Sequence, residues 1–572
     1  MNLLRRNFGL IVVLLLSILS ILPLFHSGLF PIHDDTQVAR VYEMGKSLGD
    51  GMFPVRWVAD LGYGYGYPIF NFYAPFAYYI GGLFTLLGFD ALIATKIMMG
   101  LGVIFSGVFM YLLAKEFWGE IGGITAGLFY VFAPYHALDI YVRGDVGEYY
   151  AYAFIPLVFL GLHKVFKEAN RNKLNIKWIA VGAFGYAGLI TSHNLTAMMV
   201  TPFLIIVLLF YYSIVCRKKE LSAINYPLCV IFFGLLLSAF YWLPVFLEMK
   251  YTNVLSQIGG GADFRDHFIC VGQLWDSPWG FGGSAKGCID GLSFKIGKLH
   301  LLIVLVLLIF SVWSTFKRKY LNDIYHLSEE TAAIFLSVIG LILLIFLTLE
   351  ISKPVWHAIP LMAFFQYPWR FLLLISFFSS FLAGSIFWYL KKLNFLAIFV
   401  SFFLIFILIF FNLKLFSPQN FNLKNASDYT NEIALKWVTS RVSDEYMPKD
   451  FFKPKSFEQI STKIISSEDK PIIINVLSSK TQSFTAKVYA LDHASVLLNI
   501  AYFPAWNVFI DEKVFNYQIT NQGLRIEFPK GEHNLTVKFI ETPIERISNI
   551  LSLIGITVII IGIIYARKRS VS

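Results

Sequence analysis

Residues 8–35 read FGLIVVLLLSILSILPLFHSGLFPIHDD: an apolar run over 8–30, then His33-Asp34-Asp35. A run of this length is close to the ~20 residues that a helix needs to cross the hydrocarbon core. Two carboxylates therefore sit where the chain leaves lipid, a place where unpaired charge is costly unless the rest of the protein holds it. Arg5 and Arg6 precede the run and no small-residue cleavage site follows it. The run is therefore expected to be a retained anchor and not a removed signal peptide.

The remainder of the chain is of the same kind. Hydrophobic residues are 57% of 572 and charged residues 15%, and mean hydropathy is +0.63. That composition marks a polytopic membrane protein and excludes a soluble enzyme. Apolar stretches near spanning length cover 8–30, 69–89, 91–113, 119–136, 150–166, 176–192, 196–216, 225–247, 300–316, 331–350, 370–389, 394–413 and 550–566. Charge decides which of them cross. Basic clusters occur at Arg5/Arg6, at Lys164, Lys167, Arg171, Lys173 and Lys177, and at 217–219, 317–319, Lys391/Lys392 and 567–569. The positive-inside rule puts all six in the cytoplasm, which works only if 69–89 does not cross. Pro68, Pro75, Gly81, Gly82 and several tyrosines there suit an interfacial or re-entrant helix.

Twelve spans result, in a multi-pass plasma-membrane protein with both termini cytoplasmic. The expected domains are a transmembrane domain over 1–413, whose first outer loop is 31–90, an extracytoplasmic domain over 414–549, and a last span with a basic tail over 550–572. The net charge of +10 comes mostly from the inner clusters, so it reports topology and not nucleic-acid binding. From Ile472 the text alternates in strand fashion, with turn signals at DEK (511–513), NQG (521–523) and PKG (529–531). That pattern predicts a small antiparallel β-sandwich outside the membrane, with Tyr502, Trp506 and Phe509 more at home in its core than as sugar-stacking rings. Cys270 and Cys288 fall in the outer loop 248–299, where a bridge is permitted and not proved by spacing.

Candidate chemistry lies on the outer loops. Asp34 and Asp35 close the first span. His136, Asp139, Arg143, Asp145 and Glu148 lie in or beside 137–149, His193 and Asn194 at the turn between two spans, and Arg370 beside 351–369. A sugar on a polyprenyl phosphate already carries a good leaving group, so its transfer needs one base for the acceptor hydroxyl and a fixed cation for the departing phosphate. Arg56, Arg143 or Arg370 could supply the fork. One base and direct displacement invert the anomeric centre, unlike glycoside hydrolysis with its two flanking carboxylates. The stretch GYGYGYPIFNFY at 62–73, with Tyr65 and Tyr67, reads first as an interfacial aromatic belt, and second as a surface for sugars or prenyl chains.

These residues carry a resemblance. HDDTQ at 33–37, GMFPVRW at 51–57, the 62–73 stretch, PYHA at 134–137 with YVRG at 141–144 and Glu148, His193-Asn194, YPWR at 367–370, and YFPAW at 502–506 with PKGEH at 529–533 resemble the 6-pyruvoyl-tetrahydropterin synthase-related membrane proteins of the GT-C glycosyltransferase superfamily. The chain is similar also to the YfhO-like bacterial membrane proteins. The resemblance implies an acidic motif in the first outer loop that serves as base, a polyprenyl-phosphate sugar donor and an outward-facing site. Asp34 or Asp35 is then the base, with Asp34 preferred, and Glu148 or Asp145 the second-loop acid. His33, Arg56, Tyr65, Tyr67, His136, Arg143, His193, Asn194 and Arg370 are expected to bind substrate. Some members of the superfamily need a divalent metal and many do not, so a metal stays open. One departure is Pro504-Ala505-Trp506, where YfhO-like tails usually read Pro-Gly-Trp.

The expected function is transfer of a sugar to an extracytoplasmic glycan, lipid or protein. The competing expectations are a lipid or polysaccharide transporter, or a non-catalytic scaffold whose β-domain binds glycans. Transport would favour charges in mid-span, whereas the polar residues here cluster at outer span ends. A cysteine placed at Lys115 is expected to be protected from a membrane-impermeant thiol reagent added outside. Labelling from outside would put 137–149 in the cytoplasm and overturn this topology.

Overall fold

The computed structural model describes residues 7–169, 175–217, 225–257, 259, 262–317, 328–461 and 463–569. Arg5/Arg6, Arg171, Lys173, Lys218/Lys219 and Arg318/Lys319, from the basic clusters, lie outside the described residues. The longer helices are α1 (Phe8–Ile18), α2 (Gln37–Gly49), α3 (Phe76–Leu86), α4 (Ala91–Val131), α5 (Val146–Ala169), α6 (Ile176–Ser192) and α7 (Asn194–Arg217), followed by α8 (Asn225–Leu237) and α9 (Ala239–Glu248). After them come α10 (Lys298–Lys317), α11 (Glu329–Thr348), α12 (Leu372–Tyr389), α13 (Asn394–Asn412) and α14 (Pro543–Arg569).

Among the described residues, eight helical segments are long and apolar enough to cross a membrane, or nine with α8 and α9, bent by 67° at Ser238, taken as one span. That number takes α4 as one segment, although it supplies two arms. The chain reverses at Gly119, φ +76°, inside the continuous α4. A Cβ on Gly127 would meet the Gly107 carbonyl at 3.0 Å, and one on Gly123 the Tyr111 carbonyl at 3.0 Å, so the two arms pack antiparallel as a hairpin. The helix α6 is apolar with 17 residues and α10 apolar with 20, so that, with both arms of α4, twelve helical segments are compatible with the expected spans. Residues 69–89 hold a four-residue helix, Ile69–Phe72, and the 11-residue α3, whose ~16 Å length is about half the hydrocarbon thickness.

The body has two unlike ends. At one, Gly9 N donates to Glu120 Oε1 (2.9 Å), Lys115 pairs with Glu120, and Lys164 and Lys167 both pair with Glu116. At the other end the loops knit together: Leu29 and Asn422 exchange backbone hydrogen bonds, His33 bonds the Phe281 carbonyl, Asn253 N donates to Met447 O, and Ile269 N to Thr348 O. Cys270 and Cys288 are bridged, their Cα atoms 5.5 Å apart.

The C-terminal β-domain packs two antiparallel sheets, begins at Ile465, and so starts one short strand earlier than the alternation predicts. One sheet runs β1 (Ile465–Ser467), β4 (Ala494–Leu498), β8 (Gly523–Phe528), β7 (Gln518–Thr520). The other runs β2 (Ile472–Lys480), β3 (Ser483–Ala490), β9 (Gly531–Phe539), β5 (Trp506–Ile510), β6 (Lys513–Phe515). Period-two alternation is plain in β8, where Leu524, Ile526 and Phe528 are buried while Glu527 faces out.

The 62–73 stretch is neither an exposed belt nor an open sugar platform. Tyr63, Tyr65 and Tyr67 are 2%, 7% and 0% exposed, whereas a lipid-facing belt would present its rings. Gly62, Gly64 and Gly66 have φ of +64°, +78° and +69°, a region open to glycine, and they coil the segment into a tight loop. That loop docks the tail: Ala501 N donates to Tyr65 O (2.9 Å) and Tyr63 Oη to Asp444 Oδ2 (3.0 Å). Trp57 beside it stands edge-on to Trp506 at 5.3 Å, with Phe539 at 6.0 Å. Asp50 Oδ2 accepts from both Thr481 N and Oγ1 at 2.7 Å. One hydrophobic core thus runs from the helices into the sandwich. Trp506 is 4% exposed within it, so Trp506→Ala is expected to destabilise the tail by about 3–5 kcal/mol and to speed limited proteolysis of 465–539. A variant that stays protease-resistant would separate Trp506 from the core.

Candidate active site

The loop after α1 and the loop before α5 are joined through their backbones. His33 N donates to Val142 O and Asp34 N to Arg143 O, both at 3.0 Å. The approach requires Gly144: its φ is +65°, and a Cβ there would fall 2.4 Å from Ile32 Cδ1. Gln37 Nε2 donates to the Gly144 carbonyl (2.8 Å), and Tyr78 Oη donates to Gln37 Oε1 (2.6 Å). The Asp34 side chain is thereby fixed beside the second loop.

That loop is built around Arg143. Residues Asp139–Arg143 form a wide π turn, after which α5 begins. The guanidinium lies 2.7 Å from Asp139 Oδ1, 2.8 Å from Asp145 Oδ2 and 2.9 Å from Glu148 Oε2. It also donates to Tyr135 Oη (3.0 Å) and sits 4.9 Å from the Trp369 ring centre. Arg370 Nε approaches the same Glu148 oxygen at 3.6 Å. All three carboxylates are buried. Two guanidinium groups against three carboxylates leave the cluster one negative charge in excess when all are ionised.

A cavity of about 360 Å³ opens beside this cluster. Asp34, Asp145, His193 and Arg370 line one part, Arg40, Ser443 and Glu445 another, and Val245, Met249 and Leu255 give it an apolar side. Gln366, at φ +64°, lines it too, and its Oε1 accepts from Arg370 Nη1 (3.2 Å); such strained backbone concentrates at functional sites. Two acids in the cavity are driven apart. Burial and then the Asp145 carboxylate raise the Asp34 carboxyl, outweighing Arg143, Arg40 and Arg370. Burial would raise Asp145 as well, but the positive charges beside it, Arg143 and Arg370 among them, hold it below the ordinary carboxylate range. Acids separated in this way take different roles: Asp34 is suited to accept a proton, and Asp145 to remain a fixed anion.

Asp145, Glu148 and His193 also bring their ligand atoms within 4.8 Å of one another. Burial lowers the His193 pKa against the pull of Asp145 and Glu148, which favours the neutral imidazole that metals need. Two carboxylates, one imidazole and an excess negative charge fit a divalent cation.

Of the residues expected from sequence, Asp34, Arg143, Asp145, Glu148, His193, Asn194 and Arg370 come together. Others do not. Asp35 is exposed and points away from the cavity lining. His33 is exposed, and its ring anchors Phe281. Arg56 lies in a separate buried network with Asn71, Asn549 (2.7 Å) and Glu545 (3.8 Å), which ties the first loop to α14. His136 is buried, bonded to Val131 O (2.9 Å) and stacked on Tyr152. Tyr65 packs edge-on to Phe451, and Tyr67 is buried near Tyr446; both belong to the tail-docking loop. Arg40, Ser443 and Glu445 are additions. Arg40 had a signal, being an arginine six residues after Asp34. Ser443 and Glu445 had none, because their segment meets the site only through the tertiary fold.

A family model described as "6-pyruvoyl-tetrahydropterin synthase related domain; membrane protein" matches residues 70–257, in agreement with the resemblance drawn from the motifs. An uncharacterized protein of Lactococcus lactis subsp. cremoris is 26% identical over 258 residues, which are 44% of this chain and 41% of that one. The chain thus matches about four-tenths of the length of that curated relative. Among solved structures it is similar to the apo Archaeoglobus fulgidus oligosaccharyltransferase, at TM-score 0.41 and 11% identity over 77% of this chain and 57% of that one. It is also similar to that organism's AglB in complex with an inhibitory peptide and a dolichol-phosphate, at 0.43 and 11% over 76% and 56%. ArnT from Cupriavidus metallidurans bound to undecaprenyl phosphate is similar at 0.38 and 12%, over 67% and 60%. At those scores the likenesses carry no functional argument, and a functional reading rests on the geometry of the site itself.

Replacing Arg143 by Gln would leave three buried carboxylates short of a partner. The expected loss is about 3–5 kcal/mol at neutral pH, read as a lower melting temperature in detergent. The deficit should shrink as pH falls, because protonation neutralises the stranded acids. A deficit that stays constant from pH 8 to 5 would contradict this account of the cluster.

Proposed function

We propose that this chain is a GT-C-type membrane glycosyltransferase. It moves a sugar from a polyprenyl-phosphate donor to an extracytoplasmic glycan, lipid or protein, with inversion. The observation that carries this reading is a cavity that joins a carboxyl of raised pKa, two guanidinium groups and an apolar side at the loop end of a membrane helical body. An apolar side suits a prenyl chain, and guanidinium groups suit its phosphate. The Cys270–Cys288 bridge lies in the loop between α9 and α10, at this end of the body, which supports an oxidising, extracytoplasmic side here.

In this reading the Asp34 carboxylate takes the proton of the acceptor hydroxyl. The freed oxygen forms a bond to the anomeric carbon on the face opposite the phosphate. The bond from that carbon to the phosphate oxygen breaks, and its electron pair stays on the phosphate. Arg143 is taken up by three carboxylates and Arg56 lies elsewhere, so Arg370 is the cation that faces the leaving group. Asp145 and His193 hold the floor of the site. Together with Glu148 they would also hold a divalent ion, which when bound would supply further positive charge toward the phosphate.

Asp34→Asn is expected to lower transfer by about 10²–10⁴ with an unchanged melting temperature, and Asp35→Asn to stay near wild type. The assay is purified protein with a panel of prenyl-phosphate sugars and envelope acceptors from a deletion strain. Because the Asp34 pKa is raised, activity should be complete above that pKa and fall as pH drops through it, with an acid limb above the ordinary carboxylate range. Near-wild-type turnover by Asp34→Asn would remove it as the base.

A further inference from the structure

One wall of the cavity comes from the chain that follows the last helix of the main body. Residues 443–446 stand between α13 and the β-sandwich, and Ser443, Glu445 and Tyr446 line the cavity. The segment is pinned on both sides of Glu445: Asp444 accepts from Tyr63 Oη, and the Met447 carbonyl accepts from Asn253 N. A side chain held this way keeps its geometry when a ligand arrives.

We propose that Glu445, with Arg40, binds the ring hydroxyls of the donor's sugar and so selects which sugar is transferred; this rests on the glycosyltransferase reading above. The Glu445 carboxylate has one side-chain hydrogen-bond partner among the described residues, Ser443, whose Oγ donates to Oε1 at 3.1 Å. Its remaining lone pairs face the cavity as acceptors. The same Ser443 oxygen accepts from Arg40 Nη2 at 2.9 Å, so one serine sets an acceptor beside a donor. The Arg40 guanidinium lies over the Tyr73 ring, 4.2 Å from its centre, and among the described residues its buried Nε has no hydrogen-bond partner. A carboxylate next to a guanidinium reads adjacent hydroxyls by accepting from one and donating to the other. Inverting one hydroxyl strands one of the pair, and a stranded buried polar group discriminates strongly. Tyr446 and Phe72, parallel rings 6.0 Å apart, add an aromatic face suited to the apolar side of a sugar ring. Glu445 stands apart from the Arg143 cluster, so it is free of the role given there to Asp145 and Glu148.

The test measures binding directly, by native mass spectrometry of full-length protein. The probes are a short-chain prenyl phosphate alone and the same lipid carrying glucose, mannose or galactose. Wild type is expected to prefer one sugar by about tenfold or more. Glu445→Gln should reduce that preference to within about threefold and leave affinity for the bare prenyl phosphate within about twofold. Glu445→Asp, which keeps the charge but withdraws it by one methylene, should change the rank order and guards against a folding defect in the first variant. An unchanged preference in both variants, equal weakening toward the bare lipid phosphate, or no preference in wild type would each overturn the inference. A wild type that shows the preference yet transfers none of the sugars would sink the transferase reading and leave the sugar subsite standing.

Discussion

The Arg143 guanidinium holds three carboxylates that could not otherwise be buried together, and the position of the catalytic candidate depends on it. Asp139, Asp145 and Glu148 each contact it at 2.7–2.9 Å. In a poorly hydrated site a lone carboxylate would have to take up a proton or remain in water. Arginine suits this place as lysine would not, because a planar fork of five donors can meet several acid oxygens at once. Once the cluster forms, the Val142 and Arg143 carbonyls point outward in a fixed line. The first loop pairs with that line through His33 and Asp34. The ion cluster therefore places the base indirectly, by placing the backbone on which the base hangs.

The first loop is gripped from its other side by the tail. Asp50 caps Thr481, Trp57 enters the aromatic core around Trp506, and the glycine-tyrosine loop receives Ala501 and Asp444. The β-sandwich thus braces the loop that builds the site and is not an appended module. The chain leading into it places Ser443 and Glu445 in the cavity, and α14, which leaves it, is tied back to Arg56 through Asn549 and Glu545. The loop that carries Asp34 has little freedom, because both of its faces are used.

Much of this was legible wherever one local signal had one meaning. Asp34 at a span end and the alternation of Leu524, Ile526 and Phe528 each pointed to a single arrangement. Arg56 and Arg143 show where that fails. Both are arginines on predicted outer loops, and nothing local says which cluster each will join; Arg56 is drawn to Glu545 from almost the far end of the chain. His136 was misleading for a related reason: an imidazole among loop acids resembles a ligand, yet its Nδ1 serves the Val131 carbonyl. The tyrosines of 62–73 looked like a belt because composition reports rings and not the left-handed glycines that turn them inward. Ser443 and Glu445 reach the site only by long-range packing, so no window of sequence contained their role.

Asp34 and Asp145 line the same cavity with the same chemical group, and their neighbours give them opposite tendencies. Asp145 touches Arg143 directly and accepts from the Glu148 backbone N–H at 3.0 Å, so its charge is stabilised by contacts that do not change during a reaction. Asp34 has its backbone bonded to the second loop, and burial, followed by repulsion from the Asp145 carboxylate, raises its proton affinity. A stronger proton acceptor is thereby made by a neighbouring anion that cannot itself take the proton. The arrangement works only while Asp145 stays ionised, and that in turn is the work of Arg143 and Arg370. The permanence of Asp145 and the fold of the loop that carries it thus have a common origin in the buried guanidinium, which Asp34 meets only through the backbone.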